Sequence, residues 1–167
     1  MAEKENMSGA YIFQINASKQ GGVPKPGMRQ AEVDALGIVG SQVANPEDHG
    51  GIERALCLYS LERILALQAE GHPLFPGSVG ENITIVNLDW EQMVPGVRLR
   101  LGDHVLIELT RYTAPCTTIA ASFQDGHYER ISQKPYPGWS RVYARVLQPG
   151  PIRIGDRVEL VKAEITA

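Results

Sequence analysis

Cys116 lies in the stretch LTRYTAPCTTIAASF, whose residue types are those that activate a thiol. Arg111 stands five residues upstream, at the end of the strand-like run HVLIELT, and Pro115 immediately precedes the cysteine. The residues that follow, TTIAASF, can open a helix. A thiol placed where a strand gives way to a helix N-terminus faces unpaired backbone N–H groups and the positive end of a helix dipole. Those groups and a nearby guanidinium favour the thiolate, the form that attacks electrophiles and binds metals. Cys116 and Arg111 are therefore candidate catalytic residues, against the alternative of a buried, inert cysteine.

Three further motifs could carry chemistry. Asp48-His49-Gly50-Gly51 sets an imidazole beside paired glycines that let a ligand approach the backbone closely. Gly80-Glu81-Asn82 precedes a short strand and could either orient a loop facing Cys116 or serve only its own turn. Lys25, in GGVPK, could sit at the rim of a pocket. The second thiol, Cys57, lies in the apolar run ALCLY with no polar activator beside it and is assigned to the core. His127, Tyr128, Tyr136 and Trp139 fall in a polar loop that could be a lid or a plug. The sequence has no GxGxxG, P-loop, HExxH or GxSxG signature, and no His/Cys spacing for structural zinc.

The elements that must position these residues are mainly strands. A chain of 167 residues with 43% hydrophobic content is enough for one domain with a real core. Its net charge of −3 leaves no basic footprint for nucleic acid. No apolar run is long enough to span a membrane, and the polar start MAEKENMSG is unlike a signal peptide, so a cytoplasmic protein with reduced thiols is expected. Strands are expected in GAYIFQINAS, MRQAEVDALGIVG, ITIV, VRLRL, HVLIELT, RVYARVL and PIRIGDRVELV. One main helix is expected over ALCLYSLERILALQAEG, stopped by Gly71. The segments PGVRLRLGDHVLIEL and PGPIRIGDRVELV read as two hairpins, each with a Gly-Asp turn joining two strands. Many short antiparallel strands with one helix imply a closed or nearly closed β-barrel.

Five spaced segments, GIVGSQVANPEDHGGIERALCLYSLE, PGSVGENITI, PGVRLRLGD, RYTAPCTTI and YARVLQPGPIRIGD, together resemble the MOSC domain, the C-terminal domain of molybdenum cofactor sulfurase. The resemblance covers roughly residues 9–161, so the whole of 1–167 reads as one small stand-alone MOSC-like domain. It implies a β-barrel related to the pyruvate kinase barrel domain, and it places the family's hallmark cysteine on Cys116. Where many members read GDxQADxxHHGG, this chain has Ser41, Asn45 and Asp48 in place of two carboxylates and an imidazole, while His49, Gly50 and Gly51 match.

The resemblance implies molybdenum-cofactor or sulfur chemistry. Cys116 would be either a persulfide carrier or a molybdenum ligand, in sulfur transfer or in reduction of N-hydroxylated compounds. Lys25, Gly50, Gly51, Glu81, Asn82 and Arg111 would help to hold the pterin and its phosphate, and His49 would join Cys116 and Arg111 as a catalytic residue. No pyridoxal phosphate site of its own is expected. Sulfur would then come from a partner such as a cysteine desulfurase, and electrons from a redox partner. The alternative is a non-catalytic module that binds a pterin, a phosphate or a partner.

Overall fold

The computed structural model describes residues 9–41 and 50–162. Eleven strands occur among them: β1 (Tyr11–Asn16), β2 (Gly27–Met28), β3 (Gln30–Asp34), β4 (Gly37–Ile38), β5 (Leu56–Ser60), β6 (Ile83–Val86), β7 (Arg98–Leu101), β8 (Val105–Tyr112), β9 (Val142–Gln148), β10 (Gly150–Arg153) and β11 (Val158–Val161). Eight of these form one sheet in the order β11-β7-β8-β9-β5-β6-β1-β2. The remaining three form a second sheet in the order β10-β3-β4.

The predicted helix is shorter than expected. Residues Leu56–Ser60 form β5, and only Leu61–Ala69 form the helix, α1. The apolar run LCLYS is buried throughout, as suits a central strand covered on both faces. Periodicity alone does not separate such a run from a buried helix. The switch falls at Ser60, whose backbone is extended and whose Oγ accepts a hydrogen bond from Arg63 N–H at 3.1 Å. Ile64 and Leu67 form the buried side of α1. The helix stops as expected at Gly71 (φ 104°), whose N–H bonds back to the Gln68 carbonyl. It also serves as the crossover between β5 and β6, the one parallel pair in the sheet.

Of the expectation of a closed or nearly closed barrel, closure is corrected. The fold is mainly β with one main helix, but neither sheet closes on itself. Tyr11, at the start of β1, meets Arg157, just before β11, through a single isolated bridge, supported by Ile12 N–H to the Asp156 carbonyl and Val158 N–H to the Ala10 carbonyl. Among the described residues that contact does not extend into a ladder.

The two Gly-Asp turns also differ. Gly102-Asp103 joins β7 to β8 in an antiparallel hairpin, with Leu101 opposite Val105. Gly155-Asp156 instead links β10, paired with β3, to β11, paired with β7, so it joins two sheets. The expected strand over residues 28–40 breaks into β3 and β4, because Asp34 Oδ1 accepts from Leu36 N–H and turns the chain.

Ser60→Ala should lower stability by about 1 kcal/mol, the usual cost of a lost N-cap. A denaturant midpoint for the variant tests this, and an unchanged midpoint would show that the cap is not what ends β5.

Candidate functional site

The strand β8 ends at Tyr112, and the chain then runs through Thr113–Pro115 to Cys116. Cys116 is extended (φ −143°, ψ 177°), is half-buried and begins a six-residue 3-10 segment, Thr117–Ser122. Its carbonyl accepts from Ile119 N–H at 3.2 Å. The expected passage from strand through thiol to helical turn is present, but the helical turn is short.

Cys116 lines a cavity of about 90 Å³. The chemistry-bearing side chains around it are Lys25, Cys57, Arg141 and Tyr143, with Gly80 on the backbone side. No carboxylate is among its described lining residues. Four loop segments build it together with β5 and β9, and hydrogen bonds tie them together. Lys25 N–H donates to the Gly77 carbonyl at 2.9 Å. Ser122 Oγ donates to the Ser78 carbonyl at 3.2 Å. Thr113 N–H donates to the Arg141 carbonyl at 2.9 Å. A Cβ at Gly77 would strike the Lys25 carbonyl, and Gly77 has a φ of 91°, so only glycine lets these two loops meet.

Arg141 is the dominant cation. It is 6% exposed, and its Nη1 donates to the Val79 carbonyl at 2.6 Å. Its Nε is buried with no hydrogen-bond partner among the described residues. Lys25 is 9% exposed, and burial holds its ammonium below the ordinary lysine pKa, against the opposing pull of Cys57 and Glu81.

The expected guanidinium, Arg111, is elsewhere. It is exposed on β8, where a register irregularity between Leu109 and Arg111 interrupts the pairing with β9, and it does not line the cavity. Its cross-strand partner Tyr143 does. Arg141 gave no signal in the sequence, since an arginine at the head of RVYARVL reads as the polar start of a strand.

Cys57 was assigned to the core, and it is buried, yet it also faces the cavity. Its Sγ lies 3.6 Å from Thr113 Oγ1. Burial raises its pKa, with Arg141, Thr113 and Lys25 pulling the other way. Burial also raises the Tyr143 phenol to about 12, so at neutral pH it stays protonated.

Glu81 and Asn82 stand behind the cavity wall, and Gly80 alone of that motif lines it. Asn82 Oδ1 accepts from Cys57 N–H at 2.8 Å. The Glu81 carboxyl is fully buried, with Oε2 accepting from Thr84 Oγ1 at 3.1 Å and Oε1 without a partner among the described residues. Burial pushes its pKa up to about 7, partly offset by hydrogen bonds such as that from Thr84 and by the charge of Arg141.

Gly50 and Gly51 do not line the cavity; Gly51, at φ 100°, precedes the 3-10 turn Ile52–Arg54. His49 lies outside the described residues. Of the expected set, the structure brings together Lys25 and Cys116, with Glu81 and Asn82 as their support. In the loop expected to be a lid or a plug, Trp139 is packed down. Trp139 lies between the guanidinium groups of Arg63 and Arg130, at 4.6 and 4.1 Å from its ring centroid, and its carbonyl accepts from Tyr59 OH at 2.6 Å. Among the described residues, no three His, Cys, Asp or Glu side chains cluster to hold a metal, and no helix is long and apolar enough to cross a membrane.

Comparison with known proteins adds family context. The sequence pattern of the MOSC domain matches residues 45–159. A protein of Gibberella moniliformis named Reductase is 32% identical over 133 residues, which is 77% of this chain and 23% of that protein. YflK of Bacillus subtilis is 29% identical over 123 residues, 73% of this chain and 54% of that one. The chain thus spans about a quarter of the first relative and about half of the second. The crystal structure of YiiM from Geobacillus stearothermophilus superposes with a TM-score of 0.70 over 93% of this chain and 77% of its own, at 24% identity.

Two outcomes follow from this geometry. Cys116, half-buried at the cavity, should be alkylated at least about tenfold faster than buried, protonated Cys57 near neutral pH. Timed labelling with peptide mass spectrometry checks this, and modification of Cys57 first would reverse the assignment. Glu81 gives a pH dependence of stability. Its folded pKa of about 7 exceeds the ordinary 4.5, so the folded state holds the proton more tightly. Its contribution is fully present below about pH 4.5 and is lost as pH rises through about 7. Glu81→Gln should flatten that decline in denaturant midpoint, and an identical pH profile in both proteins would refute the assignment.

Proposed function

The chain belongs to the MOSC domain family, and from that premise we propose that Cys116 is its functional thiol, acting as the soft ligand for the molybdenum of a pterin cofactor. One observation carries this reading: Cys116 shares its cavity with two largely buried cations, Lys25 and Arg141, and with no carboxylate among the described lining residues. The residues fit such a group. A thiolate suits a soft metal, and buried cations suit an anionic cofactor. The orphaned Nε of Arg141 is a donor still to be satisfied.

When bound, the cofactor would supply the redox chemistry, in a reducing role on N-hydroxylated compounds with electrons from an external partner. The chain's own part is to bind and orient. Cys116 would hold the metal at the end of the segment that follows β8, and Lys25 and Arg141 would neutralise the charge brought in. The tied loops around them limit water access. The fungal relative named Reductase supports the reducing role.

A second reading is favoured by the size of the cavity. A cavity of about 90 Å³ has room for a sulfur atom or a small anion beside Cys116. On that reading Cys116 carries a persulfide received from a donor such as a cysteine desulfurase.

Elemental analysis and intact mass of protein from a host able to make the cofactor separate the two. Stoichiometric molybdenum supports the first, and persulfide on Cys116 without molybdenum supports the second. A protein carrying neither would be a binding module. Cys116→Ser should lose either group while its denaturant midpoint stays within about 1 kcal/mol, because the thiol lies at the cavity edge. Wild-type loading in that variant would remove Cys116 from the function.

A further inference from the structure

The cavity that holds Cys116 has an unbalanced charge. Arg141 is 6% exposed and Lys25 is 9% exposed, and both line it. Arg141 Nη1 is spent on the Val79 carbonyl, while its Nε is buried and unpartnered among the described residues. Two side chains that could offset these charges are Cys57, kept a neutral thiol by burial, and Glu81, set behind the wall and half protonated near neutral pH. The described lining therefore lacks about one to two negative charges. The cavity, at about 90 Å³, has room for a small anion.

We propose that Lys25 and Arg141 form a subsite for a small sulfur oxyanion, and that the sulfur source for Cys116 is a sulfane-sulfur donor of the thiosulfate class. This rests on the persulfide reading of Cys116. The Cys116 thiolate attacks the outer sulfur of thiosulfate and forms a new S–S bond. The original S–S bond breaks, and its electron pair leaves with sulfite. Cys116 is left as a persulfide anion, with no oxidant, reductant or proton needed. The two cations hold the sulfonate end in the ground state and stabilise the charge that collects on it as it leaves. Tyr143 remains a protonated phenol and adds no competing charge.

The test uses the metal-free full chain and two donors: thiosulfate, and an uncharged organic trisulfide that delivers sulfur without an anionic group. Loading of Cys116 is followed by peptide mass spectrometry, as one added sulfur atom from thiosulfate, and from the trisulfide as the organic trisulfide formed when the Cys116 thiolate attacks the central sulfur and displaces one organic thiolate. Lys25→Gln should slow loading from thiosulfate about tenfold, the worth of one charge-assisted contact, while loading from the trisulfide changes little. Arg141→Lys keeps a charge but loses the fork, and should show a smaller loss in the same direction. In the wild-type protein, sulfate should compete with thiosulfate and not with the trisulfide, which needs no variant to fold. Equal loss with both donors, or no loss with either, overturns the subsite. If the trisulfide loads Cys116 and thiosulfate does not, the persulfide reading stands and the donor assignment is wrong. If neither donor loads Cys116, the persulfide reading fails and this inference falls with it.

Discussion

Asn82 joins two strands that are not neighbours in the sheet. It sits just ahead of β6, between β1 and β5. On the β5 side its N–H donates to the Cys57 carbonyl at 2.7 Å, and its Oδ1 accepts from Cys57 N–H at 2.8 Å. On the β1 side its carbonyl accepts from Asn16 N–H at 2.7 Å, and its Nδ2 donates to the Asn16 carbonyl at 3.4 Å. A buried amide used in this way acts as an extra rung where the ladder would otherwise end. It fixes the backbone of Cys57, and so one wall of the cavity. Asn16 Nδ2 continues the network to Thr84 Oγ1 and the Glu81 carbonyl, both at 3.1 Å.

The same network explains how the interior tolerates a carboxyl. Glu81 is buried beside two cations but aligned with neither as a direct ion pair among the described contacts. Its hydrogen bond from Thr84 suits either protonation state, since a hydroxyl can donate or accept. The cavity therefore keeps the field of Lys25 and Arg141 largely free to act on whatever enters. A direct Glu81–Arg141 pair would have cancelled it. The loops that carry these groups rest on the sheet through backbone bonds, so the polar site is set by rigid chain.

Much of the strand pattern was legible in the sequence, because alternation and turn residues are local signals. β1, β6, β7, β8 and β9 fall where ITIV, HVLIELT and their like stand. The helix boundary was not, since LCLYS is apolar on every face and only its neighbours in space make it a strand. Closure of the sheet was not legible either. It depends on whether β1 and β11 meet in a full ladder or in a single bridge, and nothing local to either strand decides that. For the site, Cys116 and Lys25 announced themselves by their settings. Arg141 did not, because its burial results from four loop segments meeting, and an irregularity on β8 accompanies the outward placement of the more conspicuous Arg111.

Both tryptophans of the chain touch the segment that carries Arg141. Trp139 is stacked between Arg63 and Arg130, and Trp90 Nε1 donates to the Ser140 carbonyl at 2.9 Å. Trp90 also meets the edge of Tyr59 with ring centroids 5.9 Å apart. Indole emission is sensitive to nearby charge and to hydrogen bonding at Nε1. The native fluorescence of this protein is thus an optical signal of the backbone at residues 139–140, and whatever shifts that stretch, which leads directly into Arg141, will register in the light the molecule emits.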